Sequence, residues 1–251
     1  MLCINIGAQL YTVRRKFQTN EEIRLAVRRI KEIGYQSVQL FGSVELIKNC
    51  VEACKMEEVG IVGILADLPA CESNEKELLE ICRENKIPDL GISSSPEEYA
   101  DPWAYMERVN VFARKAANAG ITFSYHNHGH EFVKITEDKT AMELFLEGFD
   151  KECVYFMPDT YWVHDGGYDV RYFLEQTGPR IKILHLKDLK RTEESHFFAE
   201  VGNGNLYMEG ILKTAQSCGV KNFVVEQDEC DGDPFESLTI SFRNLMKILE
   251  G

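Results

Sequence analysis

The chain is short of positive charge: 28 Lys and Arg stand against 41 Asp and Glu, a formal net charge of -13. Phosphate backbones are held by Lys and Arg, so this balance argues against a nucleic-acid partner and equally against an anionic membrane surface. No run approaches the roughly 18 consecutive apolar residues that a membrane-spanning helix needs. The opening residues MLCINIGAQLYTV carry neither a basic region nor an apolar core, so no secretory signal is expected. The eight cysteines form no CxxC pair. Cys50 and Cys54 lie one helical turn apart, but two thiols are too few for a structural zinc site. Reduced thiols in a cytoplasmic protein are the expectation. No glycine-rich phosphate loop follows an early strand, and no linker or low-complexity tract marks a domain boundary.

What is present fits one barrel. A chain of 251 residues is close to the ~250 of a single α/β barrel. Its 44% apolar and 27% charged content are those of a globular chain with a sizeable core. Short apolar segments recur about every thirty residues, the length of a βα unit. They lie at 4–10, 37–41, 60–66, 89–93, 121–126, 154–157, 181–186 and 222–226. Helical patterns separate them, at 20–33, 44–58, 74–84, 96–119 (long enough to include a bend), 140–147, 170–176, 207–217 and 234–249. In the first, Thr19 or Asn20 can cap the start, Glu21 and Glu22 suit the first turn, and Gly34 follows the end. Eight such alternations favour a closed (β/α)8 TIM barrel spanning 1–251 as one domain over an open doubly wound sheet.

Barrel active sites sit at the C-terminal ends of the strands, so the side chains that point inward there carry the functional reading. Side chains alternate along a strand with period two. In 121–128 the apolar set Ile121, Phe123 and Tyr125 should face the helices, which leaves His126 and His128 inward. The same rule turns Gln9 inward on the first strand and groups Asp159 with Met157, His185 with Ile183 and Lys187, and Glu226 with Val224 and Asp228. Glu131 lies in the loop just beyond strand five. Taken singly, His185 reads as a hydrogen-bonded core histidine, Asp159 as a helix cap and Glu226 as a strand-end charge. One geometry nevertheless unites them at consecutive strand ends. Carboxylates converging with a neutral imidazole form a cation site, suited to Mn²⁺ first, and also to Mg²⁺, Co²⁺ or Zn²⁺.

These residues lie in motifs that resemble a known family. IGAQLYTVR opens the chain, YHNHGHEF follows strand five, and PDTYWVHDGG follows strand six. ILHLKDLK, VGNGNLYMEGI and VVEQDE complete an ordered set over nearly the whole length. The chain resembles the xylose isomerase-like TIM barrel superfamily, and within it the sugar phosphate isomerase/epimerase group that includes inosose dehydratases. The resemblance implies one divalent ion held by Glu131, Asp159, His185 and Glu226. Relatives with a strand-end glutamate carry it near His126 or Asn127, so the first ligand is either Glu131 reaching back or His126. A glutamate frequent on strand two is replaced here by Gln39, which removes a charge from the substrate site. Lys187 is placed to bind a substrate oxygen or stabilise an enolate. Trp162 can stack on a sugar face, with Gln9, Tyr11, Gln39 and His128 along the walls. His128 and His130 are further read as groups that orient Glu131 by hydrogen bonding.

The chemistry this implies is proton abstraction next to a carbonyl of a small sugar or polyol, through an enediolate, with Glu226 and Glu131 as base and acid from different strands. Return of the proton isomerises or epimerises the substrate; loss of a β-hydroxyl makes the same site a dehydratase of an inosose or keto-glycoside. An abasic-site endonuclease would need more histidine ligands than the six histidines offer and a basic face. A non-catalytic sugar-binding barrel would have no need of the full ligand set. Nothing in the chain excludes a homo-oligomer. The cysteine pattern carries its own expectation: titration of the denatured, unreduced protein finds all eight thiols free, and a majority blocked as disulfides would contradict it.

Overall fold

Each recurring apolar segment forms a strand. The computed structural model describes residues 4–250. The strands are β1 (Asn5–Gln9), β2 (Ser37–Phe41), β3 (Gly60–Asp67), β4 (Asp89–Ser93), β5 (Thr122–His126), β6 (Val154–Met157), β7 (Ile183–Leu186), β8 (Asp188–Arg191), β9 (His196–Ala199) and β10 (Asn222–Val225). Eight of them form a parallel sheet in the order β6-β5-β4-β3-β2-β1-β10-β7. Two isolated parallel bridges, Phe156 to Ile181 and Asp159 to His185, join its ends and close it into the expected barrel. The two strands outside the barrel, β8 and β9, form an antiparallel hairpin over its mouth. Period-two reasoning did not anticipate this hairpin, because its turn is a run of charged and hydroxyl side chains and only Phe197 and Phe198 mark its return.

The helices start where local chemistry stops the chain. Thr19 Oγ1 accepts from the Glu22 backbone N–H at the start of Asn20–Ile33, and Gly34, at φ 123°, ends that helix in a conformation open to glycine. The long segment at 96–119 is helical only over Pro102–Asn118. Asp101 Oδ1 accepts from the N–H groups of Trp103 and Ala104, and Pro102 fits the first turn, so the helix starts there. Two short helices, Leu68–Ser73 and Thr160–Asp165, were not expected; each is capped by the aspartate that ends or follows a strand, Asp67 or Asp159. Among the described residues, no helix is long and apolar enough to cross a membrane. The seven described cysteines are free, and Cys3 lies outside the described residues.

Alternation along the strands separates two apolar regions. Phe123, Tyr125, Leu184, Leu186 and Phe223 face the helices in the main core. Val62, Met157, Ile183 and Val224 form a small cluster of their own, on the strand faces that turn into the barrel. The interior is tight: a Cβ at Gly91 would lie 2.8 Å from Met157 Cε, so any larger residue there would make that methionine shift. Toward the C-terminal ends, polar groups replace this apolar layer.

A buried carboxyl group lies at the opposite end. Asp89, the first residue of β4, is buried; its Oδ2 accepts from Ser124 Oγ at 2.6 Å and its Oδ1 has no partner. Burial, against the smaller effects of Ser124 and Lys182, pushes its carboxyl up to about 7. The folded protein therefore binds this proton more tightly than the unfolded chain does. Its contribution to stability is lost as pH rises from the ordinary carboxylate range through about 7. Asp89→Asn should raise the melting temperature at pH 8, by a gain on the order of a few kcal/mol. The difference should shrink as pH falls toward 5. A pH-independent difference in thermal melts would refute this account.

Candidate active site

The polar layer is built from one backbone N–H upward. The Tyr11 N–H donates to Gln9 Oε1 at 3.2 Å, which fixes the orientation of that amide. Gln9 Nε2 therefore donates to Gln39 Oε1, at 2.7 Å. Gln39 Oε1 also faces His185 Nε2 at 2.6 Å, so that ring nitrogen carries a proton and donates. The other ring nitrogen, Nδ1, is then left with its lone pair toward the carboxylates: Glu226 Oε2 lies 2.8 Å away and Asp159 Oδ2 4.0 Å. A lone pair and a carboxylate oxygen cannot share 2.8 Å without a positive centre. Either a proton on Nδ1 or a cation between the groups meets that need.

Around this contact the barrel gathers four donors. Single ligand atoms of His126, Asp159, His185 and Glu226 all lie within 4.8 Å of one another, and all four residues are buried. Asp159 combines two roles: Oδ1 accepts from the N–H groups of Tyr161 and Trp162 as a helix cap, while Oδ2 turns to the cluster without a hydrogen bond of good geometry. His126 is fully enclosed, and neither ring nitrogen has a partner; Nε2 is 3.5 Å from Asp159 Oδ2. Buried polar atoms are almost always paired, so the unpartnered His126 Nε2 facing the unpartnered Asp159 Oδ2 is an arrangement that a shared cation would satisfy. Two imidazoles and two carboxylates suit a borderline divalent ion, and the residues fit one.

Lys187 lies against the same carboxylates. Its Nζ is 2.9 Å from Asp159 Oδ2, 3.1 Å from Glu226 Oε2 and 2.9 Å from Asp228 Oδ1. Burial alone would push the ammonium down, but the three carboxylates outweigh it and hold it above its ordinary value. The converse holds for Glu226: burial pushes it up, and Lys187 with His185 more than reverses this, leaving it well below the usual carboxylate range. Asp228 is pushed up to about 6, mainly by burial. Asp228 shares a strand face with Glu226, and period-two spacing showed as much, but nothing in the sequence assigned it a role at Lys187.

The remaining expected residues divide between the cavity wall and the layer behind it. His126, His128, Trp162, Lys187, Glu226 and Asp228 line a mouth cavity of about 590 Å³, closed on the far side by Tyr11 and Phe41. His128 meets the Trp162 ring edge-on at 5.7 Å. Burial, with His126 nearby, pushes His128 down to about 3, so it is a neutral base. Trp162 Nε1 is buried without a partner. Gln9 and Gln39 are fully buried behind His185 and do not line the cavity. Glu131 lies apart from the four-donor group, in a second cluster with His128 and His130. Its two oxygens are engaged, by Tyr125 Oη at 2.9 Å and the His128 N–H at 2.8 Å. Of the two residues left open, the structure brings His126, a strand-end side chain, into the four-donor group and leaves Glu131 outside it, bracing its own loop. Burial pushes Glu131 up to about 7. His128 reaches Glu131 through its backbone N–H rather than its ring, and His130 Nε2 donates to the Ser94 carbonyl at 3.0 Å.

A profile of the family described as xylose isomerase-like TIM barrel matches residues 27–239, and the chain belongs to that family. Inosose dehydratase from Clostridium perfringens is 25% identical to it over 148 residues, 52% of this chain and 49% of that protein. The chain thus aligns with about half the length of the curated relatives it matches. Among solved structures, a sugar phosphate isomerase/epimerase from Parabacteroides distasonis superposes with a TM-score of 0.78 at 22% identity, covering 98% of this chain and 94% of that one. A xylose isomerase-like barrel from Mycobacterium smegmatis, solved in complex with magnesium, gives 0.72 at 16% identity over 98% and 96%. At these identities the structural likeness is one of fold.

The hairpin roof depends on Asp188. Its Oδ1 accepts from the N–H groups of Leu189 (2.8 Å) and Leu206 (3.2 Å), and its Oδ2 from Gly202 (2.9 Å) and Gly204 (3.1 Å). A Cβ at Gly204 would collide with this carboxylate, which accounts for the glycine in VGNGN. Hydrogen bonds to a charged group contribute ~1.5–3 kcal/mol each. Asp188→Ala should therefore open the segment 189–206. Since ~1.4 kcal/mol is tenfold in an equilibrium, limited proteolysis there should run about tenfold faster or more. Unchanged cleavage would show that the carboxylate does not hold the roof.

Proposed function

We propose that the protein is a metal-dependent isomerase or epimerase of a small sugar or polyol, acting by proton transfer next to a carbonyl. The observation that carries this reading is the enclosed group of His126, Asp159, His185 and Glu226 at the floor of a cavity sized for a small molecule, with Lys187 beside it. A bound divalent ion, Mn²⁺ by preference for a mixed nitrogen and oxygen donor set, would supply Lewis-acid polarisation of the substrate carbonyl. The magnesium bound by the Mycobacterium smegmatis barrel supports a divalent ion in this setting.

The chain's own residues supply the rest. Trp162 offers an apolar face and an unsatisfied N–H to a ring and its hydroxyl. Lys187 presents an ammonium to a substrate oxygen that gains charge as the α C–H bond breaks and its electron pair forms the enediolate double bond. Among the groups lining the cavity, Glu226 and Asp228 on one wall, and His128 on another separated from it by β6 and β7, take and return that proton. The acid role foreseen for Glu131 passes in this reading to the cavity-lining groups, because Glu131's oxygens are engaged elsewhere. Return of the proton to the other face epimerises the substrate; return to the neighbouring carbon isomerises it. The likeness to inosose dehydratase favours a second outcome at the same site, expulsion of a β-hydroxyl as water. Reduced thiols fit a cytoplasmic setting for either.

The test pairs metal content with deuterium exchange. The wild-type protein, incubated with ketoses, inososes and 3-keto-glycosides in deuterated water, should incorporate deuterium at the carbon next to a carbonyl. Elemental analysis should find one divalent ion per chain. His185→Ala and Glu226→Gln should lose that ion and more than about 100-fold of the exchange rate, since even partners that only orient metal ligands are worth 10–100-fold. Full exchange in metal-free His185→Ala would show that the ion is not needed and would overturn the mechanism.

A further inference from the structure

Lys187 and the proposed ion compete for the same atoms. The ammonium contacts Asp159 Oδ2 and Glu226 Oε2, and these are the two carboxylate oxygens that face His185 Nδ1 and, for Asp159, His126 Nε2. An ammonium sits 2.9–3.1 Å from them here. A divalent transition ion would need the same lone pairs at about 2.0–2.2 Å. Two cations cannot use both oxygens fully, and at such separation they repel. A third carboxylate breaks the tie. Asp228 Oδ1 holds the ammonium at 2.9 Å, stands outside the four-donor group and opens onto the cavity. The four-carbon stem gives Lys a freedom that a guanidinium fork lacks, and the ammonium already lies 5.5 Å from the Trp162 ring centre and 5.8 Å from that of Phe198.

We infer that Lys187 is the resident counter-cation of this site and exchanges with the divalent ion: as the ion enters, the ammonium leaves Asp159 and Glu226, stays with Asp228, and is thereby delivered to the cavity where substrate binds. This rests on the metal-dependent reading above and adds to it a control on affinity. Without the ammonium, the buried carboxylates of Asp159 and Glu226 would face one another uncompensated in the metal-free protein, an arrangement buried charges do not tolerate. With it, the protein folds before it is loaded, and loading switches the lysine from a structural partner to a group available to substrate.

The experiment is a calorimetric titration of Zn²⁺ into chelator-stripped wild-type, Lys187→Met and His185→Ala proteins. Removing a unit charge a few ångströms from the ion should tighten binding by about tenfold or more in Lys187→Met, given an effective dielectric constant of about 20. His185→Ala should bind weakly or not at all. Wild-type binding with Lys187→Met no tighter overturns the exchange and leaves the metal reading standing. Failure of every protein to bind Zn²⁺ overturns both. A second measurement reads the wild-type protein and uses a charge-conserving variant only to assign the signal. In protein labelled with ¹⁵N at lysine Nζ, the resonance missing from Lys187→Arg should shift on Zn²⁺ addition, and its protons should exchange faster with solvent. A resonance unmoved in the zinc-loaded wild-type protein overturns the exchange.

Discussion

The structure at the barrel mouth depends on one ion cluster, the Lys187 ammonium held among Asp159, Glu226 and Asp228. Each of these groups is expensive to bury alone, and the one ammonium offsets part of the charge of the three carboxylates. Their positions follow from strand geometry. Lys187 and Glu226 directly follow the last residues of β7 and β10, and Asp159 follows β6 as the cap of a short helix. A barrel brings the C-terminal ends of its strands to one ring, so three short sequence segments far apart in the chain meet within a few ångströms.

Behind that ring, polar contacts fix orientation rather than supply chemistry. The relay from the Tyr11 N–H through Gln9 and Gln39 decides which nitrogen of His185 faces the carboxylates. This assigns Gln39 a purpose that a glutamate at the same position would serve differently: an amide oxygen accepts from His185 without adding a negative charge to a site that already holds three. Glu131 plays a comparable part on the other side, bracing the His128 backbone and the Tyr125 hydroxyl.

The barrel, its eight strands and the inward-facing residues His126, Asp159, His185, Lys187 and Glu226 were legible in the sequence, because period-two alternation and the βα spacing are local signals. Which of His126 and Glu131 lies in the four-donor group was not, since it turns on how the loop after β5 folds back. Motif spacing shows that a glutamate is near; only the coordinates show its oxygens already engaged. The β8–β9 hairpin escaped for a related reason. Its stability comes from one carboxylate gathering four N–H groups from residues as far as eighteen positions away, a contact that leaves no periodic trace. Asp228 was visible on the correct face and lacked only its partner.

The way the barrel closes has a mechanical side. Seven of its eight seams are ladders of paired residues, while the one between β6 and β7 holds by two isolated bridges, one of them between Asp159 and His185. The loosest seam therefore runs between two of the candidate ligands. An ion gripped by both would act as a rivet across it, and its binding energy would be felt as resistance of the whole cylinder to splitting along that line. Heat or denaturant applied to the stripped protein would find its first opening there, so the element that equips the mouth for chemistry would also set how the scaffold comes apart.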